Sequence, residues 1–118
     1  MSVQIQIETR DRKLIFDIFE SDKMIYPFIA KEITDGVSIR LNGFVLRENI
    51  YAPGLVSIKL FLAENVALPT AIGVFSAWLY DKLKGRKVDK LYIEGTEVKI
   101  DRGEIEKNLI EKVEKEKH

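Results

Sequence analysis

The segment that most constrains this chain is the uncharged run Val66 to Tyr80, VALPTAIGVFSAWLY, which stops at the mixed-charge stretch Asp81 to Lys90, DKLKGRKVDK. Wound at about 100° per residue, Ala71, Ile72, Val74, Phe75, Trp78, Leu79 and Leu83 cover roughly half of a helix surface, wider than the stripe that covers one sheet. Two arrangements satisfy so broad an arc. In one, the helix is sunk between a sheet and another helix. In the other, Ile72, Leu79 and Leu83 face the core while Val74 and Trp78 form a protein interface, where Trp anchors are enriched. A membrane span is not expected, because the run extends about 22 Å as helix against about 30 Å of hydrocarbon. The helix is predicted from about residue 66 to Lys84, with Asn65 as its cap and Gly85 as its left-handed stop. Gly73 and Ala77 have the spacing that lets a neighbouring helix approach closely.

Elsewhere the hydrophobic period changes repeatedly. Val3, Ile5 and Ile7 alternate with Gln4, Gln6 and Glu8, which predicts a half-buried strand over residues 2–8. Lys13 to Glu20 is rich in β-forming residues and reads as a second strand, apolar on both faces. Met24, Ile25, Phe28, Ile29 and Ile33 recur at helical spacing, so a helix is predicted over residues 27–34, with Pro27 in its first turn and Asp35-Gly36 ending it. Val37, Ile39 and Leu41 form a strand that turns at Asn42-Gly43, the dipeptide best suited to a two-residue hairpin, and returns over Phe44 to Arg47. After a loop from Asn49 to Gly54, Leu55 to Leu62 reads as a strand, with a helix not excluded by so short a run. Residues 90–94 and 97–100 flank a hairpin turn at Gly95-Thr96. Asp101 as N-cap, Glu104 three residues on, and Ile100 with Ile105 as a staple mark the start of a final helix that buries Ile105, Leu109, Ile110 and Val113. The expected fold is one α+β domain over residues 1–118, with a largely antiparallel sheet and helices on one face, in the order β-β-α-β-β-β-α-β-β-α.

Composition narrows the function classes. Cysteine is absent, which removes disulfide, thiolate and cysteine-zinc chemistry, and the only histidine is the terminal His118, a poor place for a base held in register. No cofactor and no metal centre is expected, and no enzymatic constellation stands out. Glu94 with Glu97 and Asp17 with Glu20 read as outward strand positions rather than an acid–base pair. Lys and Arg total 19 against 19 Asp and Glu, so the global positive field of a nonspecific nucleic-acid binder is missing. Local cations remain: Lys82, Lys84, Arg86, Lys87 and Lys90 could meet phosphates, or could simply complement a helix C-terminus. Abundant isoleucine, lysine and glutamate with scarce glutamine suggest a thermophilic source, and the alternating N-terminus lacks a signal-peptide core, so a cytoplasmic location is expected.

The second half has a recognisable order. A hydrophobic helix ending in AWLYDKL, a short basic connection, the hairpin KLYIEGTEVKID and a closing amphipathic helix together resemble the small effector-associated domains of prokaryotic conflict systems, over about residues 65–113. The resemblance implies a non-catalytic adaptor that recruits a partner by homotypic contact. The leading expectation is therefore a protein-interaction module that self-associates as a homo-oligomer through the 66–84 helix, with Val74 and Trp78 at the contact. The alternative is a small nucleic-acid or anionic-ligand binder that uses the basic segment 82–90.

Overall fold

The structure is a computed structural model and describes residues 1–21, 24–45 and 52–117. Its elements are β1 (Ser2–Thr9), α1 (Leu14–Ile18), β2 (Ala30–Thr34), β3 (Val37–Val45), β4 (Gly54–Leu62), α2 (Leu68–Leu83), β5 (Val88–Ile93), β6 (Thr96–Val98) and α3 (Arg102–Lys117). The strands form one antiparallel six-stranded sheet in the order β2-β3-β4-β1-β5-β6. β4 and β5 flank β1 and run parallel to each other, so a hairpin cannot join them. The long helix α2 makes that connection.

The alternation read in β1 sets the two faces of the sheet. Val3, Ile5 and Ile7 are buried while Gln4, Gln6 and Glu8 keep partial solvent access. Register carries this division across the sheet. Leu41, Ile58, Ile5 and Ile93 form one inward row through β3, β4, β1 and β5, and Arg40, Lys59 and Gln4 form an outward row beside it. The inward rows join Leu14 and Ile18 of α1, Ile72, Phe75 and Leu79 of α2, and Ile105, Leu109 and Val113 of α3 in a single core. Each such side chain contributes roughly 1.5–3 kcal/mol when fully buried.

Several local readings are corrected by the structure. Lys13 to Glu20 is not a strand: it contains the short helix α1. Leu14, Ile15, Ile18 and Phe19 are buried, a spacing that places them on one helical face, whereas a strand would have divided them between two. Thr9 Oγ1 accepts from the Asp11 N–H at 3.0 Å and Asp11 Oδ1 accepts from the Lys13 N–H at 2.9 Å, so side chains turn the backbone out of β1 into the helix.

Residues 27–34 are not a helix either. Ala30–Thr34 is the edge strand β2, joined to β3 through Asp35-Gly36 with Thr34 opposite Val37. Gly36 has φ +79°, so Asp35-Gly36 makes a hairpin turn rather than a helix stop. Asn42-Gly43, expected as a turn, lies inside β3, where the register steps from Leu41 opposite Ile58 to Gly43 opposite Ser57. The extra residue is absorbed as a bulge. β3 is therefore one long strand, and the order is β-α-β-β-β-α-β-β-α.

The remaining elements lie close to their expected places. Leu55 to Leu62 is strand, within β4. The α2 cap is Ala67 rather than Asn65, with Pro69 in the first turn, where its missing N–H is tolerated. Gly85, at φ +73°, follows its end. The last hairpin turns one residue early, at Glu94-Gly95, both with positive φ. Asp101 Oδ2 accepts from the Glu104 N–H at 3.1 Å and caps α3. Residues 46–51 lie outside the described residues, and with them the end of the expected return at Arg47 and the start of the expected loop at Asn49. His118 lies outside them as well.

Candidate functional site

α2 buries Ala71, Ile72, Phe75, Ser76, Leu79 and Leu83, and α3 packs along it. Its broad apolar arc thus has an internal explanation, a helix between the sheet and a second helix. Gly73 marks the side of approach: a Cβ there would lie 3.6 Å from Glu106 Oε1 of α3. Val74 is 43% exposed. Trp78 is half-buried against the core, its ring 5.7 Å from that of Phe75 and 5.8 Å from Lys82 Nζ. The two residues expected at an interface therefore differ, one open to solvent and one largely engaged within the chain.

The basic segment meets a second set of cations that spacing alone did not reveal. The Arg10 N–H and Thr9 Oγ1 both donate to the Lys87 carbonyl, at 3.1 and 2.8 Å, and tie the β1–α1 turn to the α2–β5 turn. Arg10, Arg12 and Lys13 then face Lys84, Arg86 and Lys87 across an open cleft of about 680 Å³. Most of this charge is already answered. Arg86 is held between Asp11, at 2.9 Å, and Asp17. Lys84 pairs with Asp81 at 3.1 Å, Lys90 with Glu97 at 3.7 Å, and Lys82 with Glu20 at 3.6 Å. Glu20 also meets Lys31 at 2.8 Å. Lys87 has no carboxylate within ion-pair distance among the described residues.

These pairs also decide what the carboxylates can do. Partial burial alone would raise the Asp11 pKa, but the Lys13 N–H and the Arg86 guanidinium outweigh it and hold the carboxyl below its ordinary value. Hydrogen bonding and charge from Lys31, with Lys82 adding to them, lower Glu20. Both stay ionised at neutral pH, so neither is set up as a proton donor. Glu94 Oε1 accepts from the Gln4 N–H at 2.8 Å, which makes it a turn residue tied to β1. Among the described residues no cluster of three or more acidic or histidine side chains is placed to hold a metal ion, and no helix is long and apolar enough to cross a membrane.

Two surfaces depend on residues 27–34 being a strand and its approach rather than a helix. The first is a corner of the sheet. β2 pairs with β3 only as far as Arg40, and the Leu41 N–H donates to the Ile29 carbonyl at 2.8 Å, so β3 from Asn42 to Val45 has no strand on that side among the described residues. Phe44 and Val45 are exposed there, Val45 at 49%, and Met24, Tyr26 and Phe28 are exposed in the segment leading into β2. The second is the sheet face opposite the helices. There the Arg40 guanidinium lies 5.0 Å from the Phe61 ring centroid and 5.7 Å from that of Phe28. The turn at Asp35-Gly36 brings β2 beside β3, and a bulge between Glu32 and Thr34 then sets Ala30 opposite Arg40, in one cross-strand row with Lys59.

Comparison of the chain with protein-family models, with characterised proteins and with solved structures finds no match.

Proposed function

We propose that this chain is a non-enzymatic protein-interaction module that pairs with a second copy of itself, as the adaptor resemblance of its second half implies. The observation that carries this reading is the corner at the end of β3. An unpaired strand edge presents free backbone N–H and C=O groups, and exposed apolar residues beside it favour coverage by another chain. A two-fold axis at that edge would set β3 against β3 of the other copy and continue the sheet by antiparallel pairing. Val45 and Phe44 would lie at the seam, with Phe28 at its rim. The exposed Val74 and half-buried Trp78 of α2 offer a smaller alternative contact. The basic segment 82–90 has less support as the working surface, because Lys82, Lys84, Arg86 and Lys90 already have carboxylate partners. A cytoplasmic, heat-adapted setting fits the cysteine-free composition rich in isoleucine, lysine and glutamate.

Light scattering across a concentration series tests the proposal. A dimer is expected for the wild type and a monomer for Val45→Lys, whose charge would sit unpaired at the seam while the core is left intact. Trp78→Ala is expected to remain dimeric. A wild type that stays monomeric at millimolar concentration rejects self-association. Loss of the dimer in Trp78→Ala but not in Val45→Lys would move the contact to α2.

A further inference from the structure

Arg40 and Lys59 stand directly opposite each other on β3 and β4, on the face away from the helices. Like charges at such a position lie about 5 Å apart at Cβ and destabilise a sheet. Arg10, Lys31, Lys82, Lys84, Arg86 and Lys90 pair with carboxylates, whereas neither Arg40 nor Lys59 has one among the described residues to offset that repulsion. Arg40 is also left with an unmet donor: its Nε is shielded from solvent and has no hydrogen-bond acceptor. Phe61 and Phe28 on either side of the guanidinium restrict its orientation. On the β2 side Glu32, opposite Ser38, shares this face with Arg40, whereas toward β1 the neighbours of Lys59 are uncharged. Gln4 follows Lys59 in the same row, and Gln6 lies beside it, opposite both Ser57 and Tyr92. The nearest acidic group in that direction, Glu94, is engaged by the Gln4 N–H.

We infer that this open sheet face is a binding site for single-stranded nucleic acid, with Arg40 and Lys59 taking backbone phosphates and Phe28 and Tyr92 stacking on bases. The cation pair calls for anionic oxygens that can approach a flat, open surface. The aromatic side chains call for planar partners, and Phe28 is 65% exposed. Single strands supply phosphates and free base faces together, whereas a duplex keeps its base faces stacked on one another. The chain's zero net charge limits the electrostatic contribution to these local contacts. With two phosphates neutralised at about 0.7 each, log affinity is expected to fall with log salt at a slope of about −1.4.

The experiment is fluorescence anisotropy of labelled oligo(dT) and oligo(rU), with a mixed-sequence duplex as comparison, across a salt series. The wild type is expected to bind the single strands with that shallow slope and the duplex more weakly. Lys59→Gln should weaken binding about tenfold while leaving the urea midpoint unchanged or higher, because it relieves a like-charge contact. A purely structural lysine would not separate the two readouts. Phe28→Ala should also weaken binding at least about fivefold, and Arg40→Lys should restore part of what Arg40→Gln loses. Lys87→Gln, at the basic cleft, should have no effect. Absence of binding at millimolar protein, equal affinity for duplex, or binding undiminished in Lys59→Gln would overturn the assignment, as would loss on Lys87→Gln alone.

Discussion

Ser76 offers the sharpest test of how the core is built, because the expected result is a gain. It lies in the middle of α2 with 0% exposure, and its Oγ has no hydrogen-bond partner. A buried hydroxyl without a partner costs about 1–3 kcal/mol relative to water. Replacing it with Ala removes that cost and adds up to about 0.5 kcal/mol of helix propensity. The void left by one oxygen is smaller than a methyl group and costs less than about 1 kcal/mol. Ser76→Ala should therefore be more stable by about 1–2 kcal/mol. In urea, with a slope near 2 kcal/mol per molar for a domain of this size, the midpoint should rise by about 0.5–1 M with the slope unchanged. An unchanged or lower midpoint would refute the reasoning, since it would mean that the hydroxyl is satisfied in solution, for instance by the carbonyl four residues back in the helix. A changed slope would show that the substitution alters how much surface unfolding exposes.

Two further outcomes follow from the turns and ion pairs. Gly36→Ala should destabilise by about 2–4 kcal/mol, because the backbone is at φ +79° and the new Cβ would lie 3.0 Å from Val66 Cγ2; a urea midpoint within error of wild type would show that this turn relaxes. Stability should also fall in acid. Asp11 and Glu20 are held below their ordinary values of 3.8 and 4.5, so their contribution is complete above about pH 5 and is lost as pH drops through the lowered values. Thermal melts of the wild type should be flat above that pH and decline below it. Asp11→Asn should make the decline shallower, and an identical acid profile in that variant would remove Asp11 from the account.

How far the sequence determined the fold depended on whether a local signal had a competitor. β1, α2 and α3 were legible because alternation, length or a cap pointed one way: the Asp101 cap appears at its predicted place, and Val3, Ile5 and Ile7 are buried as the alternation requires, whereas the short apolar run of β4 suited a helix as well as the strand it forms. The segment from Lys13 to Gly43 was not, because each signal there fits two structures. Leu14, Ile15, Ile18 and Phe19 suit one face of a helical turn as well as both faces of a buried strand. Asp35-Gly36 and Asn42-Gly43 are both strong hairpin dipeptides, and tertiary pairing selects between them. Using the first turn lets Val37, Ile39 and Leu41 pair with β4 and reach the core while β2 closes the edge. Using the second would have left Ala30 to Thr34 outside the sheet. The basic cleft was half legible: Lys82 to Lys90 lie in one short segment, but Arg10, Arg12 and Lys13 join them through long-range contacts, the bonds to the Lys87 carbonyl and the Arg86–Asp11 ion pair. The Arg40 and Lys59 row depends wholly on register, which no local pattern specifies when the turn is placed at Asn42-Gly43.

The two proposed surfaces meet at Phe28, and that makes them thermodynamically linked. Its ring lies beside the Arg40 guanidinium on the open face, and its segment leads to the β3 edge where a second copy would dock. If pairing of two copies orders Phe28 against Arg40, a single strand binds the dimer more tightly than the monomer, and by reciprocity the strand promotes dimerisation by the same factor. Sedimentation of the wild type with and without oligo(dT) reads this directly: the dimer fraction at a fixed protein concentration should rise with added strand. Val45→Lys should lose the concentration dependence of binding yet retain the weaker affinity of a single open face, because Arg40, Lys59 and Phe28 remain in place. A strand that disperses the dimer would reverse the sign of the coupling and place Phe28 in one surface at the expense of the other. Equal affinity of monomer and dimer would separate the two surfaces, and each would then stand or fall on its own test.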